Sequence, residues 1–114
     1  MRVGIDIIEN KRINKILRYN TNKIFTKNEI EYCKKYKKFA PHFASIWCAK
    51  EAVCKATQCE IKIDEIEILH NEKNYPYVFI NNKIENYLKI NKLNKIEISI
   101  SNEKKYSIAI CIIN

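Results

Sequence analysis

From Val3 onward the chain alternates Val3, Ile5 and Ile7 against Gly4, Asp6 and Ile8, the period-two signature of a strand. Asp6 interrupts the second face. Aspartate disfavours strands, so its presence there predicts an edge position or a specific task. After Glu9 or Asn10 the period changes: Ile13, Ile16, Leu17 and Tyr19 form an apolar stripe at helical spacing. The run Thr26-Lys27-Asn28-Glu29 then reads as a capping box, with Phe25 before the cap and Ile30 beyond it placed to form a hydrophobic staple. A helix starting there is expected to reach about Tyr36, where Lys34, Lys35, Lys37 and Lys38 suit the negative end of its dipole.

The central stretch, Ala40 to Thr57, has no interior glycine, and Pro41 falls in the first turn, where its missing amide costs nothing. At about 100° per residue, Ala40, Ala44, Trp47, Cys48, Glu51 and Lys55 share one face, and Ala49, Ala52, Val53 and Ala56 share the opposite one. No side is purely polar. A helix of this kind is buried on more than one side, so Glu51 and Lys55 must either pair with each other at i,i+4 or line an opening.

Past Thr57 the pattern becomes strand-rich. Ile61, Ile63, Ile66 and Ile68 read as a strand interrupted near Asp64, Asn71 to Tyr75 as a loop, and Tyr77 to Ile80 as a short strand. Asn81-Asn82 reads as a turn, and Ile84, Tyr87, Leu88 and Leu93 have helical spacing. Two strands close the chain, Ile96 to Ser101 and Tyr106 to Ile113, joined by a short polar hairpin connection. Helices thus concentrate in the first half and strands in the second. This predicts an α+β fold, a mainly antiparallel sheet with helices packed on one face, over a single domain spanning residues 1–114.

Composition adds partners and compartment. The net charge of +8, carried by 21 Lys and Arg against 13 Asp and Glu, favours an acidic partner: nucleic acid, a phosphorylated cofactor or an acidic protein. Most of the cations are lysines in a chain rich in Lys, Ile and Asn, which reads as electrostatic steering rather than base recognition. At 114 residues the core is modest, so an oligomer is expected. Five cysteines without a CxxC spacing argue for free thiols in a reducing compartment and against a zinc site. Asp6 and Glu9 occupy the place of a signal peptide's apolar segment, and the longest apolar run, Ile108 to Ile113, is too short to cross a bilayer. A soluble cytoplasmic protein is expected.

The single glycine excludes a P-loop and a dinucleotide fingerprint, so a bound phosphate must be held by side chains or a metal. His42 and His70 lack metal-ligand spacing and read as surface or interface residues. Asp6 and Glu51 remain. If the first strand and the central helix pack side by side, these carboxylates can share a hard divalent cation that takes its other ligands from water and phosphate. Lys55, one turn further along the helix, is then placed for a diphosphate.

GIDIIENKRI (4–13) and WCAKEAVCKA (47–56) resemble the two signature motifs of holo-acyl-carrier-protein synthases, the small phosphopantetheinyl transferases. IFTKNEIEYC is similar to that family's second helix and SISNEKKYSIAI to its last hairpin, so the likeness runs through nearly the whole chain in order. The resemblance implies transfer of 4'-phosphopantetheine from coenzyme A to a serine of apo acyl carrier protein, with magnesium required and adenosine 3',5'-bisphosphate released. This is a step supporting fatty acid biosynthesis. Position by position, it makes Asp6 and Glu51 metal ligands, Glu51 and Lys55 catalytic, Lys50, Lys55 and Lys62 coenzyme contacts, and Arg12 and Arg18 carrier-protein contacts. The serine's proton goes to Glu51 or to a metal-activated water. A homotrimer with coenzyme between subunits is implied as well.

The chain departs from the family pattern at three places. Ile46 stands where Arg is usual, Gln58 and Cys59 replace glycines after the central helix, and Asn102 replaces a histidine in the final hairpin. These departures predict a weaker hold on coenzyme, with Lys62 or another lysine supplying the missing phosphate contact, and a different turn after the helix. They also leave room for a member without activity. The reading from charge alone is a basic α+β nucleic-acid-binding module, whose affinity would fall steeply with salt.

Overall fold

The computed structural model describes residues 1–114 and has the α+β architecture expected. Strand β1 (Arg2–Glu9) leads through a 3-10 turn (Asn10–Arg12) into helices α1 (Ile13–Ile24), α2 (Lys27–Lys34) and α3 (Ala40–Ala56). A second 3-10 turn (Ile63–Glu65), the short strands β2 (Ile68–His70) and β3 (Pro76–Val78), helix α4 (Asn82–Ile90) and the hairpin β4 (Ile96–Asn102) and β5 (Tyr106–Ile113) follow. The strands divide into two antiparallel sheets, β1-β5-β4 and β2-β3. β1 pairs only with β5, so Asp6 does lie on an edge strand, opposite Ala109.

The alternation in β1 is expressed as two faces. Gly4 and Ile8 are buried toward α3, whereas Val3, Ile5 and Ile7 are 51%, 53% and 59% exposed on the open side of the sheet. α3 is enclosed on several sides, with Phe43, Ile46, Ala49, Ala52, Val53 and Ala56 all buried. Its approach to β1 is set by backbone. A Cβ at Gly4 would lie 1.9 Å from the Ala52 carbonyl oxygen and 2.6 Å from the Ala56 nitrogen, so no side chain fits between strand and helix there.

Several boundaries differ from expectation, each for a local reason. α2 has the predicted capping box, Thr26 accepting from Glu29 N and Glu29 from Thr26 N, but it ends at Lys34. α1 begins at Ile13, because Asn10 is buried and donates instead to the Glu103 and Lys104 carbonyls of the final hairpin. The strand expected around Ile61 to Ile68 is mostly loop: Ile61 and Ile66 anchor it in the core, and pairing begins only at Ile68. Asn81 is no turn residue but the cap of α4, its side chain accepting from Ile84 N at 3.0 Å. β3 covers Pro76–Val78 rather than Tyr77 to Ile80.

The histidines are less exposed than expected. His70 stacks on Tyr32 and His42 on Tyr36, each pair with ring centroids 3.6 Å apart, and His70 Nδ1 is buried without a hydrogen-bond partner. Burial pushes the His70 imidazole down to about 4, with Lys35 and His42 adding repulsion, and burial lowers His42 as well.

Gly4→Ala is expected to cost about 3 kcal/mol, the upper range for an overpacked core, because the new methyl meets helix backbone that cannot turn aside; urea unfolding measures it. For His70 the unfolded chain binds the extra proton, so stability is full above the ordinary value of 6.5 and is lost as the pH falls toward 4. Denaturant titrations across that window should show a shallower acid slope in His70→Phe.

Candidate active site

Side chains from two elements meet where β1 crosses α3. Asp6 leaves the inward face of the edge strand, and Glu51 and Lys55 come from successive turns of α3, on the side turned away from Val53 and Ala49. Lys55 Nζ donates to Asp6 Oδ1 and to the Ile5 carbonyl, both at 3.0 Å. The Asp6 side chain is 15% exposed and that of Lys55 51%, so the ammonium reaches in from solvent over a half-closed carboxylate. Lys55 does not close the i,i+4 pair with Glu51 that spacing offered. Its ion pair is with the strand aspartate.

The two carboxyl groups share one electrostatic field. Burial raises the Glu51 carboxyl above its ordinary range, Asp6 repels its charge and raises it further, and Lys55 acts in the opposite sense. Cys48 lies in the same recess. Its thiol donates to the Ser107 carbonyl at 3.3 Å, and burial followed by the Asp6 charge pushes it up to about 12, which keeps it a neutral thiol. Asp6 and Glu51 together fit a hard cation such as magnesium: they are oxygen donors, and their mutual repulsion is what such an ion relieves. No group of three or more His, Cys, Asp or Glu side chains is placed to hold a metal alone, so water and phosphate must complete any such shell.

Lys50 corrects the sequence reading. One residue before Glu51, it is rotated by about 100° around α3, and its side chain is fully buried on the far side. Its ammonium donates to Glu29 Oε1 at 2.7 Å and to the Ile24 carbonyl at 2.5 Å, with the Phe25 ring beside it. Closed off in this way, it cannot touch coenzyme in this conformation. Glu29 is the residue whose importance the sequence understated. Beyond capping α2, it accepts from Lys50 and, through Oε2, from Ile68 N at 2.7 Å, tying α2, α3 and β2 together.

Lys62 is exposed and lines a groove of about 390 Å³ with Lys23, Ile24, Trp47, Cys54 and Asp64. Trp47, Glu51 and Cys54 lie at i, i+4 and i+7, so the groove runs beside the carboxylate pair. A second groove of about 450 Å³, with Arg2, Val3 and Gln58 in its wall, opens on the other side of Lys55. Arg12 and Arg18 are exposed on the first 3-10 turn and on α1, with the Arg18 guanidinium 5.9 Å from the centre of the Tyr19 ring.

The three departures also have physical accounts. Ile46 is 1% exposed and contributes to the core. Asn102 donates to Ser45 Oγ at 2.8 Å, pinning the hairpin to α3. Gln58 and Cys59 keep the left-handed conformation, with φ of 53° and 63°, that glycine would adopt without cost. The helix end is a Schellman turn, Cys59 N donating to the Cys54 carbonyl at 2.7 Å and Gln58 N to that of Lys55 at 3.0 Å. The turn is therefore retained at a conformational cost of about 1 kcal/mol per residue.

Comparison with known proteins shows which family the chain belongs to. The holo-acyl-carrier-protein synthase of Aquifex aeolicus is 40% identical over 97% of this chain and 96% of its own length. That of Fusobacterium nucleatum is 38% identical over 97% and 96%. Among solved structures, the Bacillus anthracis holo-acyl-carrier-protein synthase in complex with CoA (3',5'-ADP) superposes with a TM-score of 0.81 at 27% identity, covering 98% of this chain and 94% of that one. The Helicobacter pylori enzyme in complex with coenzyme A gives 0.82 at 25% identity, covering 98% and 99%. The family model of the 4'-phosphopantetheinyl transferase superfamily matches residues 2–111, and the chain, with Asp6, Glu51 and Lys55 gathered at the crossing of β1 and α3, belongs to that family.

Proposed function

We propose that this protein transfers the 4'-phosphopantetheine arm of coenzyme A to a serine of an apo acyl carrier protein, leaving adenosine 3',5'-bisphosphate and serving fatty acid biosynthesis. The observation that carries the reading is the convergence of Asp6 and Glu51, from elements distant in sequence, beside the Lys55 ammonium. Relatives named for this activity, and two of them bound to the coenzyme or its nucleotide part, support it.

Asp6 and Glu51 would hold a magnesium ion, which when bound supplies positive charge to the coenzyme's diphosphate. Lys55, its side chain half exposed beside Asp6, neutralises charge that builds on the departing phosphate. Glu51 is, in this reading, the chain's own acceptor for the serine proton. Lys62 and Lys23 in the groove beside Trp47 offer the cations that a phosphorylated nucleotide needs, in place of the arginine absent at position 46. Transfer of a phosphoryl-linked arm from the bound coenzyme to a serine hydroxyl asks for positioning and charge neutralisation, and these side chains provide both.

The basic surplus finds its use in the same reading. Lys11, Arg12, Lys15 and Arg18 are exposed along the first 3-10 turn and α1, a cationic ribbon suited to steering an acidic carrier protein. Residues 1–114 act as one domain, and no helix is long and apolar enough to cross a membrane; we place the protein in the cytoplasm. The open sheet face, with Val3, Ile5, Ile7, Tyr106 and Ile108 all exposed, is the surface a homotrimer would cover.

Mass spectrometry of an apo carrier protein incubated with coenzyme A and magnesium should show one phosphopantetheine addition. Glu51→Gln and Lys55→Ala should each slow it by on the order of a hundredfold while melting near the parent; unmodified carrier with the parent protein, or full rates in both variants, overturns the reading. Lys50→Met should instead destabilise the fold by about 3–5 kcal/mol, leaving Glu29 buried without its cation, with the coenzyme KM of the folded fraction unchanged. Ile5→Lys should shift the mass measured by light scattering from an assembly to a monomer.

A further inference from the structure

The groove beside Trp47 carries a second chemistry that the transfer leaves unused. Cys54 and Cys59 lie on its wall with their sulfurs 3.2 Å apart, the Cys54 thiol directed at Cys59. All five cysteines are free, but they are not equivalent. Cys33, Cys48 and Cys111 are fully buried, far from solvent oxidants, and burial pushes each thiol up to about 12. Cys54 is 8% exposed, whereas Cys59 is open to solvent. One accessible sulfur thus stands in contact with one sheltered sulfur, an arrangement found nowhere else in the chain.

The backbone between them is already closed. Cys59 N donates to the Cys54 carbonyl at 2.7 Å across the Schellman turn, and Gln58 and Cys59 hold the positive φ values that bring the chain back over the helix end. Bonding therefore needs the sulfurs to approach from 3.2 Å to about 2.05 Å, a side-chain adjustment with little loop left to order. We infer that Cys54 and Cys59 are a redox modification site, a dithiol that a peroxide converts reversibly to a disulfide on the wall of this groove. The inference stands on the sulfur geometry and does not depend on the transferase reading.

The chemistry balances with hydrogen peroxide as the oxidant. The Cys59 thiolate attacks one peroxide oxygen, the O–O bond breaks, and the departing hydroxide takes up a proton to leave as water, giving a sulfenic acid on Cys59. The Cys54 sulfur then attacks the sulfenic sulfur. Its proton joins the displaced hydroxide as a second water, and the S–S bond forms. Two thiols lose two electrons and two protons, and the peroxide is reduced to two waters. An added dithiol reverses the bond by exchange.

Two built-in reporters test this. Trypsin cuts after Lys50, Lys55 and Lys62, so a bond between Cys54 and Cys59 joins the peptides 51–55 and 56–62, which are otherwise separate. Trp47, the chain's one tryptophan, lines the same groove. After treatment of the native protein with stoichiometric hydrogen peroxide and alkylation, the joined peptide should account for most of Cys59, and Cys33, Cys48 and Cys111 should alkylate only on denaturation. Trp47 emission should fall on oxidation and recover with dithiothreitol, and Cys59→Ser and Cys54→Ser, each with a native circular dichroism spectrum, should lose the response. Absence of the joined peptide, conversion of Cys59 to sulfinic acid with Cys54 still free, or an unchanged emission response in Cys59→Ser overturns the inference.

Discussion

The backbone contact between β1 and α3 at Gly4 is the constraint on which the rest of the molecule depends. With the Ala52 carbonyl and the Ala56 nitrogen in the space a side chain would take, strand and helix approach as closely as two backbones can. Two residues along the same face of β1, Asp6 is then within reach of Lys55, and its charge is felt by Glu51 and Cys48. A larger residue at position 4 would move the strand outward, and the carboxylates would part company.

The rotation of α3 is fixed from the other side. Lys50 runs into the core to meet Glu29, which also accepts from Thr26 N and Ile68 N, so one carboxylate ties three elements together. Burying both charges carries a heavy desolvation cost, offset only when each hydrogen bond is made, and that favours a single angle of the helix about its axis. With Lys50 turned inward, Glu51 and Lys55 necessarily face the crossing with β1. A buried ion pair and an accessible one thus occupy opposite sides of one helix.

Much of this was legible in the chain. Alternation in β1, the capping box at Thr26, the small-residue faces of α3 and the final hairpin are short-range signals, and short-range signals survive folding. Asp6 was conspicuous because aspartate is costly in a strand, and Glu51 and Lys55 because they are charged on a helix otherwise apolar or small. Lys50 is assigned to the coenzyme only through its place in a motif that resembles the family's, and only packing shows that its partner is a capping residue from another helix. Cys54 and Cys59 carried no recognisable spacing, since their contact depends on a left-handed turn built without glycine.

The sequence by itself determined which residues could form elements and which side chains had chemistry to offer, because propensity, capping and periodicity act over a few neighbouring residues. It also ruled out phosphate binding through a glycine-rich loop, the chain having a single glycine, at Gly4. Tertiary structure alone decided the pairings: Lys55 with Asp6 rather than Glu51, Lys50 with Glu29 rather than with solvent, Asn102 with Ser45, His70 against Tyr32. Those choices follow from where elements 20 to 60 residues apart come to rest, at distances of a few ångströms. Desolvation and charge change steeply over such distances, while local sequence says nothing about them.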